Sequence, residues 1–450
     1  MQVAIVGGGL AGLVAAYELE KRGLSVHLLE TADVLGGRVQ TAGYGGGLHG
    51  EFGMQEIWES NPLKGIAEEL RVPLDSGEAA FSSVVLNGKL FPNTYKTSRD
   101  YFAALFAPEE RRVLDAWMRK AKRLYAIARE RGAIAPEVAD LQNITFQQWL
   151  EQEKLPPKVA TWIRLTLECE LASDWSDFSA LVGLLEFHVF LDGGQRDYHV
   201  RGGNSRVIEA LAKAIHGEKS LSATATAIEQ STTGKLHVRV TYTQKNQIHV
   251  LEAERVVVAI PFVRLHQLQF EPPLPEDYWQ SVYTLKLGQY VVVHFLFAKE
   301  GRKLFQEDPA DLFTVLTNGP LGVIYGLVDE SPKDQSVDVF SLLIYGTPAR
   351  VFHMAPRDMK RKELLGELNR LWPGFSQYVR ATHIYSYHPA AIPVWPPGRS
   401  PVDAQAELLR KPHLGLWLAG DYTENAHSDG AVRSGIRVAK AIAEDLTSRR

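Results

Sequence analysis

The chain has 450 residues, 45% of them hydrophobic and 23% charged, with a formal net charge of −4. That length exceeds what one hydrophobic core serves, so two joined domains are expected, and the balanced charge with no long basic run argues against nucleic acid as a partner. A single cysteine, Cys169, excludes an internal disulfide and a cysteine metal cluster, and weakly favours a reducing, cytoplasmic setting.

In chain order, Met1 to Val6 already reads as a strand, with no basic leader before it, so no signal peptide is expected. Leu10 to Lys21 repeats apolar residues at helical spacing, Gly23 ends that helix, and Leu24 to Glu30 is a second buried strand. Tyr101 to Arg131 reads as one or two helices with Pro108 at a helix start; Thr145 to Leu150, Pro157 to Leu167 and Ser176 to Phe187 follow as helices. Ser205 to Ile215 is helical, His237 to Tyr242 and Ile248 to Leu251 form a strand pair, and Arg255 to Ile260 is a buried strand. Strands at Tyr290 to Phe297, Leu312 to Thr317, Gly322 to Leu327, Val337 to Tyr345 and Ala381 to Tyr387 predict a second sheet. Leu416 to Gly420 is a last short strand, and Asp429 to Leu446 a closing helix. No stretch is apolar for the roughly eighteen residues a spanning helix needs.

Gly7-Gly8-Gly9-Leu10-Ala11-Gly12 carries G-x-G-x-x-G between the first strand and the first helix, and Glu30 ends the next strand about twenty residues on. Gly7 permits the tight turn, Gly9 lets backbone approach a pyrophosphate, and Gly12 lets helix pack on strand. The helix N-terminus offers amides and partial positive charge, and Glu30 suits a ribose diol. Glu30 is followed by Gly36-Gly37-Arg38-Val39-Gln40-Thr41. This E-x5-G-G-R-x-x-T run resembles the second FAD-binding signature of the flavin-containing amine oxidase superfamily, which includes amine oxidases, protoporphyrinogen oxidases and carotenoid desaturases.

Further landmarks resemble that superfamily in order. Glu51 to Glu56 is similar to the segment beside the isoalloxazine ring, and Gly202-Gly203-Asn204 to the second glycine pair. Ala225 to Ile228 is similar to the strand that meets the adenine, with Val257 to Pro261 its following strand. Leu418 to Thr423 and Asp429 to Gly435 resemble the closing FAD motif. The resemblance implies an α/β fold: a Rossmann-type FAD-binding domain (1–75, 200–270 and 396–450) interleaved with an α+β substrate domain on a mixed sheet (76–199 and 271–395). It assigns to FAD Gly7, Gly9, Ala11, Gly12, Glu30, Gly36, Gly37, Arg38, Gly53, Met54, Gln55, Ala225, Gly420, Asp421 and Val432.

Three departures from amine oxidases follow from the same resemblance. Val292 stands where many of them place a lysine, Ala391 and His427 fall near the two aromatic cage positions, and Ala390 falls at the covalent-flavin position, so FAD is expected to be noncovalent. Leu418 to Thr423 looks like the desaturase form of its motif, and Ala391-Ile392-Pro393 like the protoporphyrinogen oxidase and desaturase form, whereas Val394 to Gly398 also suits amine oxidases. The side chains expected to face the ring are Gln55, Glu56, Tyr387, His388, Trp395 and His427. Of these His427, Glu56, Tyr387 and Trp395 are the candidates for chemistry. His427 leads because it precedes the helix that touches the flavin and exchanges protons near neutral pH. The competing readings are a pocket-shaping His427 and a salt-bridged Glu56. No metal-ligand spacing is present, and no metal is expected.

These readings predict a flavin enzyme that dehydrogenates a small apolar substrate, with O2 or a quinone as acceptor. Amine oxidation, a redox-neutral isomerisation and a purely structural FAD are the alternatives. The basic residues and phenylalanines of Tyr101 to Arg131 raise peripheral membrane contact as a further alternative to a half-exposed helix.

Overall fold

In the computed structural model, the strand Val3–Val6 is apolar throughout because both of its faces are covered. The structure describes every residue except 78–80, 96, 194–195, 232–236, 328–334, 387–390 and 449–450, and the side chains of 191–193 and 310. Val3–Val6 is the middle of a parallel sheet ordered Glu218–Ser220, Val26–Leu29, Val3–Val6, Arg255–Val258, Leu416–Leu418. The order reverses beside Val3–Val6, so a crevice opens there at the carboxyl ends of the strands. The closing helix Ser428–Ser448 lies against the first helix, Leu10–Lys21. Gly435 permits that approach: a Cβ there would stand 2.7 Å from Ala11 O. The two ends of the chain thus meet beside the crevice.

Ala223–Gln230 pairs with Val238–Gln244, which pairs with Gln247–Ala253, and on its other side Ala223–Gln230 runs parallel to Gln269–Glu271. A seven-stranded mixed sheet runs Val379–Ser386, Tyr290–Ala298, Val337–Tyr345, Val323–Leu327, Val315–Leu316, Ser83–Leu86, Lys89–Phe91, with one parallel pair, Val315–Leu316 on Ser83–Leu86. Along Tyr290–Ala298 the period of two sorts the side chains. Val291, Val293, Phe295 and Phe297 enter an aromatic core with Phe340, Trp372 and Phe375, whereas Tyr290 and Val292 face the crevice.

The expected α/β architecture is present, with several local differences. Tyr101 to Arg131 is two helices, Ser98–Leu105 and Pro108–Arg131, the second begun by Pro108. Tyr101, Leu105 and Phe106 are buried, Phe102 packs on the same core, and the long helix buries Leu114, Trp117, Ala121, Leu124 and Ala128. Leu105 and Phe106, two of the apolar groups that raised membrane contact, thus face the core. Among the described residues no helix is long and apolar enough to cross a membrane. Leu312 to Thr317 is not one strand: Pro309 starts a short helix, Pro309–Leu312, and only Val315–Leu316 pairs. Ser176 to Phe187 shortens to Ala180–Glu186, because the Ser179 side chain accepts the Val182 N–H and caps the helix there. Asp197–Val200 pairs with Ile57–Trp58 and Leu74–Ser76, spanning the expected domain junction at residue 200.

Candidate active site

The crevice is a cavity of about 1670 Å³, larger than the roughly 300–1,000 Å³ of an ordinary single-ligand pocket and so able to hold a dinucleotide and a second molecule. Its outer end is built by the two glycine turns. Gly7 has φ +111°, and a Cβ there would stand 2.6 Å from Ala259 O. A Cβ on Gly12 would be 2.0 Å from Gly7 O, so only glycine lets the helix start against the turn. At Gly9 the nearest atom to such a Cβ is Gly37 Cα at 3.9 Å, and this glycine faces the cavity. Gly36 N–H donates to Gly8 O at 2.9 Å and so ties the second turn to the first.

No side chain caps the helix begun at Gly9, so its first amides remain for an anion. Glu30 is fixed by accepting Gly8 N–H at 2.6 Å and Ala32 N–H at 2.8 Å. Arg38 Nη1 stands 2.7 Å from Asp421 Oδ2 and also donates to Ala391 O. Open glycine backbone, exposed amides, a held acid and a guanidinium on one wall fit a pyrophosphate flanked by a ribose.

The inner end begins where Asn204 holds the segment after the Leu48–Glu51 strand. Its Nδ2 donates to Met54 O at 2.6 Å and Gln55 O at 3.1 Å, and its N–H to Glu51 Oε1 at 2.9 Å. His294 lies 2.9 Å from Glu51 O; a carbonyl only accepts, so Nε2 carries the hydrogen and Nδ1 accepts from Tyr44 at 2.6 Å. Burial lowers His294 to about 4 and keeps it neutral, a support for the segment rather than an acid or base.

Beyond Gln55 the cavity wall is acidic. Glu56, Glu170, Asp197 and His427 line it, and Glu186 stands behind His427. The ligand atoms of Glu170, Glu186 and His427 lie within 4.8 Å of one another. His427 Nε2 is 2.8 Å from Glu186 Oε1, an ion pair whose alignment falls short of a hydrogen bond. Burial alone would lower His427, but the charge and contact of Glu186, then Glu170 and Asp429, outweigh it and raise His427 to about 10. Burial pushes Glu186 up, and the charge of His427 overrides it and holds Glu186 below the usual carboxylate range. Burial raises Glu170 to about 8, with His427 opposing and Glu56 and Glu186 adding. Burial also raises Glu56 to about 7, His199 and His427 opposing and Asp197 adding. Glu56 Oε2 and Asp197 Oδ1 are shielded from solvent and have no hydrogen-bond partner.

Of the residues assigned to FAD, Gly7, Gly9, Ala11, Glu30, Gly36, Gly37, Arg38, Gly53, Met54, Gln55, Ala225, Gly420 and Asp421 line this one cavity. Gly12 and Val432 do not: Gly12 packs against the turn, and the Val432 side chain is buried in the core around the first helix. Among the candidates for chemistry, Glu56 and His427 face the cavity. Trp395 is corrected: it is 1% exposed within the main core, because its large ring fills space behind the wall, and it lines no part of the cavity. Glu56 has one oxygen, Oε2, without a hydrogen-bond partner. Tyr387, His388 and Ala390 lie outside the described residues. Val292 and Ala391 line the cavity. Sequence reasoning missed Glu170, Glu186 and Asp197. The available signal was an acid set in apolar helix text, Leu167-Glu168-Cys169-Glu170-Leu171 and Leu184-Leu185-Glu186-Phe187, since a charge in a buried run needs a partner or a function.

A parallel sheet with a glycine-rich phosphate turn at its switch point and a second sheet closing the crevice defines a dinucleotide-dependent oxidoreductase. The chain belongs to the family of flavin-containing amine oxidoreductases, whose model matches residues 10–443, and FAD is its cofactor. It is 23% identical to the flavin-dependent L-tryptophan oxidase RebO of Lentzea aerocolonigenes, over 98% of each chain. It is also 23% identical to the 15-cis-phytoene desaturase of Glycine max, over 99% of this chain and 80% of that one. Among solved structures, cyclohexylamine oxidase from Brevibacterium oxydans shares the fold with a TM-score of 0.79 at 22% identity, covering 99% of each chain. A putrescine oxidase variant does so at 0.81 and 22%, also over 99% of each chain.

Proposed function

We propose that this flavin-dependent oxidoreductase oxidises the C–N bond of an amine, with Glu56 as the base that takes the ammonium proton. The observation that carries the reading is Glu56, which lines the cavity as Glu170 does and keeps one oxygen, Oε2, shielded from solvent without a hydrogen-bond partner. A buried carboxylate without a partner is costly, and a bound cation relieves that cost. FAD, when bound, supplies the two-electron acceptor. The chain's residues bind, orient and deprotonate the substrate. A carboxyl group raised to about 7 is ionised often enough to accept a proton and weak enough as an acid to hold it. Its proton removal leaves the nitrogen lone pair that oxidation to the imine requires. His427, paired with Glu186, is already an imidazolium and shapes the pocket's charge in place of acting as base.

Noncovalent FAD, O2 or a quinone as acceptor, and the domain division at 1–75, 200–270 and 396–450 against 76–199 and 271–395 belong to the same proposal. A second reading, desaturation of an apolar substrate, is favoured by the apolar wall of Val292, Val323 and Leu343. The test is an anaerobic screen of the FAD-loaded protein with amines, polyenes and porphyrinogens, following loss of flavin colour. Bleaching by amines supports the reading. Bleaching by polyenes alone replaces it with desaturation, and turnover without any acceptor points to the isomerase.

A further inference from the structure

Helix Pro157–Leu171 turns Trp162, Thr166, Cys169 and Glu170 toward the cavity, residues spaced four, three and one apart on one helix face. An aromatic ring and a carboxyl group eight residues apart stand about 12 Å apart along the axis. Trp162 does not stand alone at its end. Phe81 lies edge to its ring at 5.7 Å, and both line the cavity. At the other end Glu56 and Asp197, from two further elements, join Glu170. The wall therefore grades from aromatic to acidic over the length of a small molecule.

We propose that this wall selects amines with an apolar, ring-bearing body and no carboxylate, and turns away the corresponding α-amino acids. The proposal rests on the amine-oxidation reading and adds the substrate class. The ammonium sits at Glu56 and Glu170 while the ring lies toward Trp162 and Phe81. An α-carboxylate is attached to the carbon next to the nitrogen, so it cannot leave the acidic end. There it faces Glu56, Glu170 and Asp197. The positive charge of His427 is already taken by Glu186, and His199 stands 3.5 Å from Asp197. Among the described lining residues the guanidinium groups are Arg38, which is on Asp421, and Arg264, exposed at the nucleotide end. No lysine lines the described wall.

The experiment uses the FAD-loaded protein and matched pairs that differ by one carboxylate: tryptamine against L-tryptophan, and phenethylamine against L-phenylalanine. Anaerobic flavin reduction is followed for each at pH 9, above the values of about 7 and about 8 to which burial raises Glu56 and Glu170, so that both are carboxylates. The amine of each pair is expected to win by about a hundredfold or more in reduction rate over apparent Kd, the scale of a like-charge clash in a desolvated site. Glu170→Gln is expected to narrow that ratio by about tenfold while the flavin spectrum stays. An amino acid reduced as fast as its amine overturns the selection and leaves C–N oxidation standing. A ratio unchanged in Glu170→Gln overturns the assignment to the acidic wall. Reduction by a polyene with no response to any amine overturns both readings together.

Discussion

The substitution Glu186→Gln tests whether His427 is held as a cation. In the native chain His427 moves from an ordinary 6.5 to about 10, which corresponds to about 5 kcal/mol in favour of the charged ring. Burial works against that, so the carboxylates must supply more than the net effect. Glu186 is the largest of them and the one in contact. Removing an opposite charge at this distance is expected to lower His427 by about 1–3 pH units. Glu170 and Asp429 keep part of the effect. The assay is NMR of 15N-histidine-labelled, FAD-loaded protein titrated from pH 6 to 10, with His427→Gln to identify the signal. The native ring is expected to stay charged at pH 8, and the variant's to titrate earlier. The sign for stability follows. A histidine raised on folding stabilises fully below the unfolded value near 6.5 and loses that contribution as pH rises through about 10. Native Tm should therefore fall over that window, and in Glu186→Gln the fall should come at lower pH. A neutral native ring at pH 8, or an unchanged titration in the variant, refutes the reasoning.

Glu56→Gln is expected to lower kcat/KM for amines by about 10²–10⁴ with the flavin spectrum retained, and oxygen uptake or quinone reduction reads it; retained activity removes Glu56 as the base. Gly9→Val leaves the turn space to fold but points a side chain into the cavity, so a folded and colourless protein is expected, read by circular dichroism and absorbance. Gly12→Ala, by contrast, drives a Cβ to 2.0 Å from Gly7 O and should lower Tm as well. Chelation by EDTA is expected to leave activity unchanged, because the His427 imidazolium already supplies positive charge among Glu56, Glu170 and Glu186; a loss restored by a divalent metal contradicts that.

The cofactor end was legible in the sequence because it is local. Gly7, Gly9, Gly12 and Glu30 belong to one β-α-β unit, and Gly36 and Arg38 to the turn just after it, where positive φ and close backbone approach demand glycine at set spacings. The substrate end was not, because Glu56, Glu170, Glu186 and His427 come from four separate stretches, and spacing along the chain says nothing of their convergence. Their grouping depends on where two helices, Pro157–Leu171 and Ala180–Glu186, end against the turn before the closing helix. Trp395 shows the opposite error: a ring near the return loop reads as a pocket wall, but burial of a large apolar surface decided its direction.

The most direct measurement mixes the FAD-loaded protein with phenethylamine without oxygen and follows flavin colour against pH. Reduction whose rate over apparent Kd rises through about pH 7, as Glu56 ionises, is the predicted result. A flavin that stays oxidised across the whole range, while a polyene or porphyrinogen reduces it, contradicts the account.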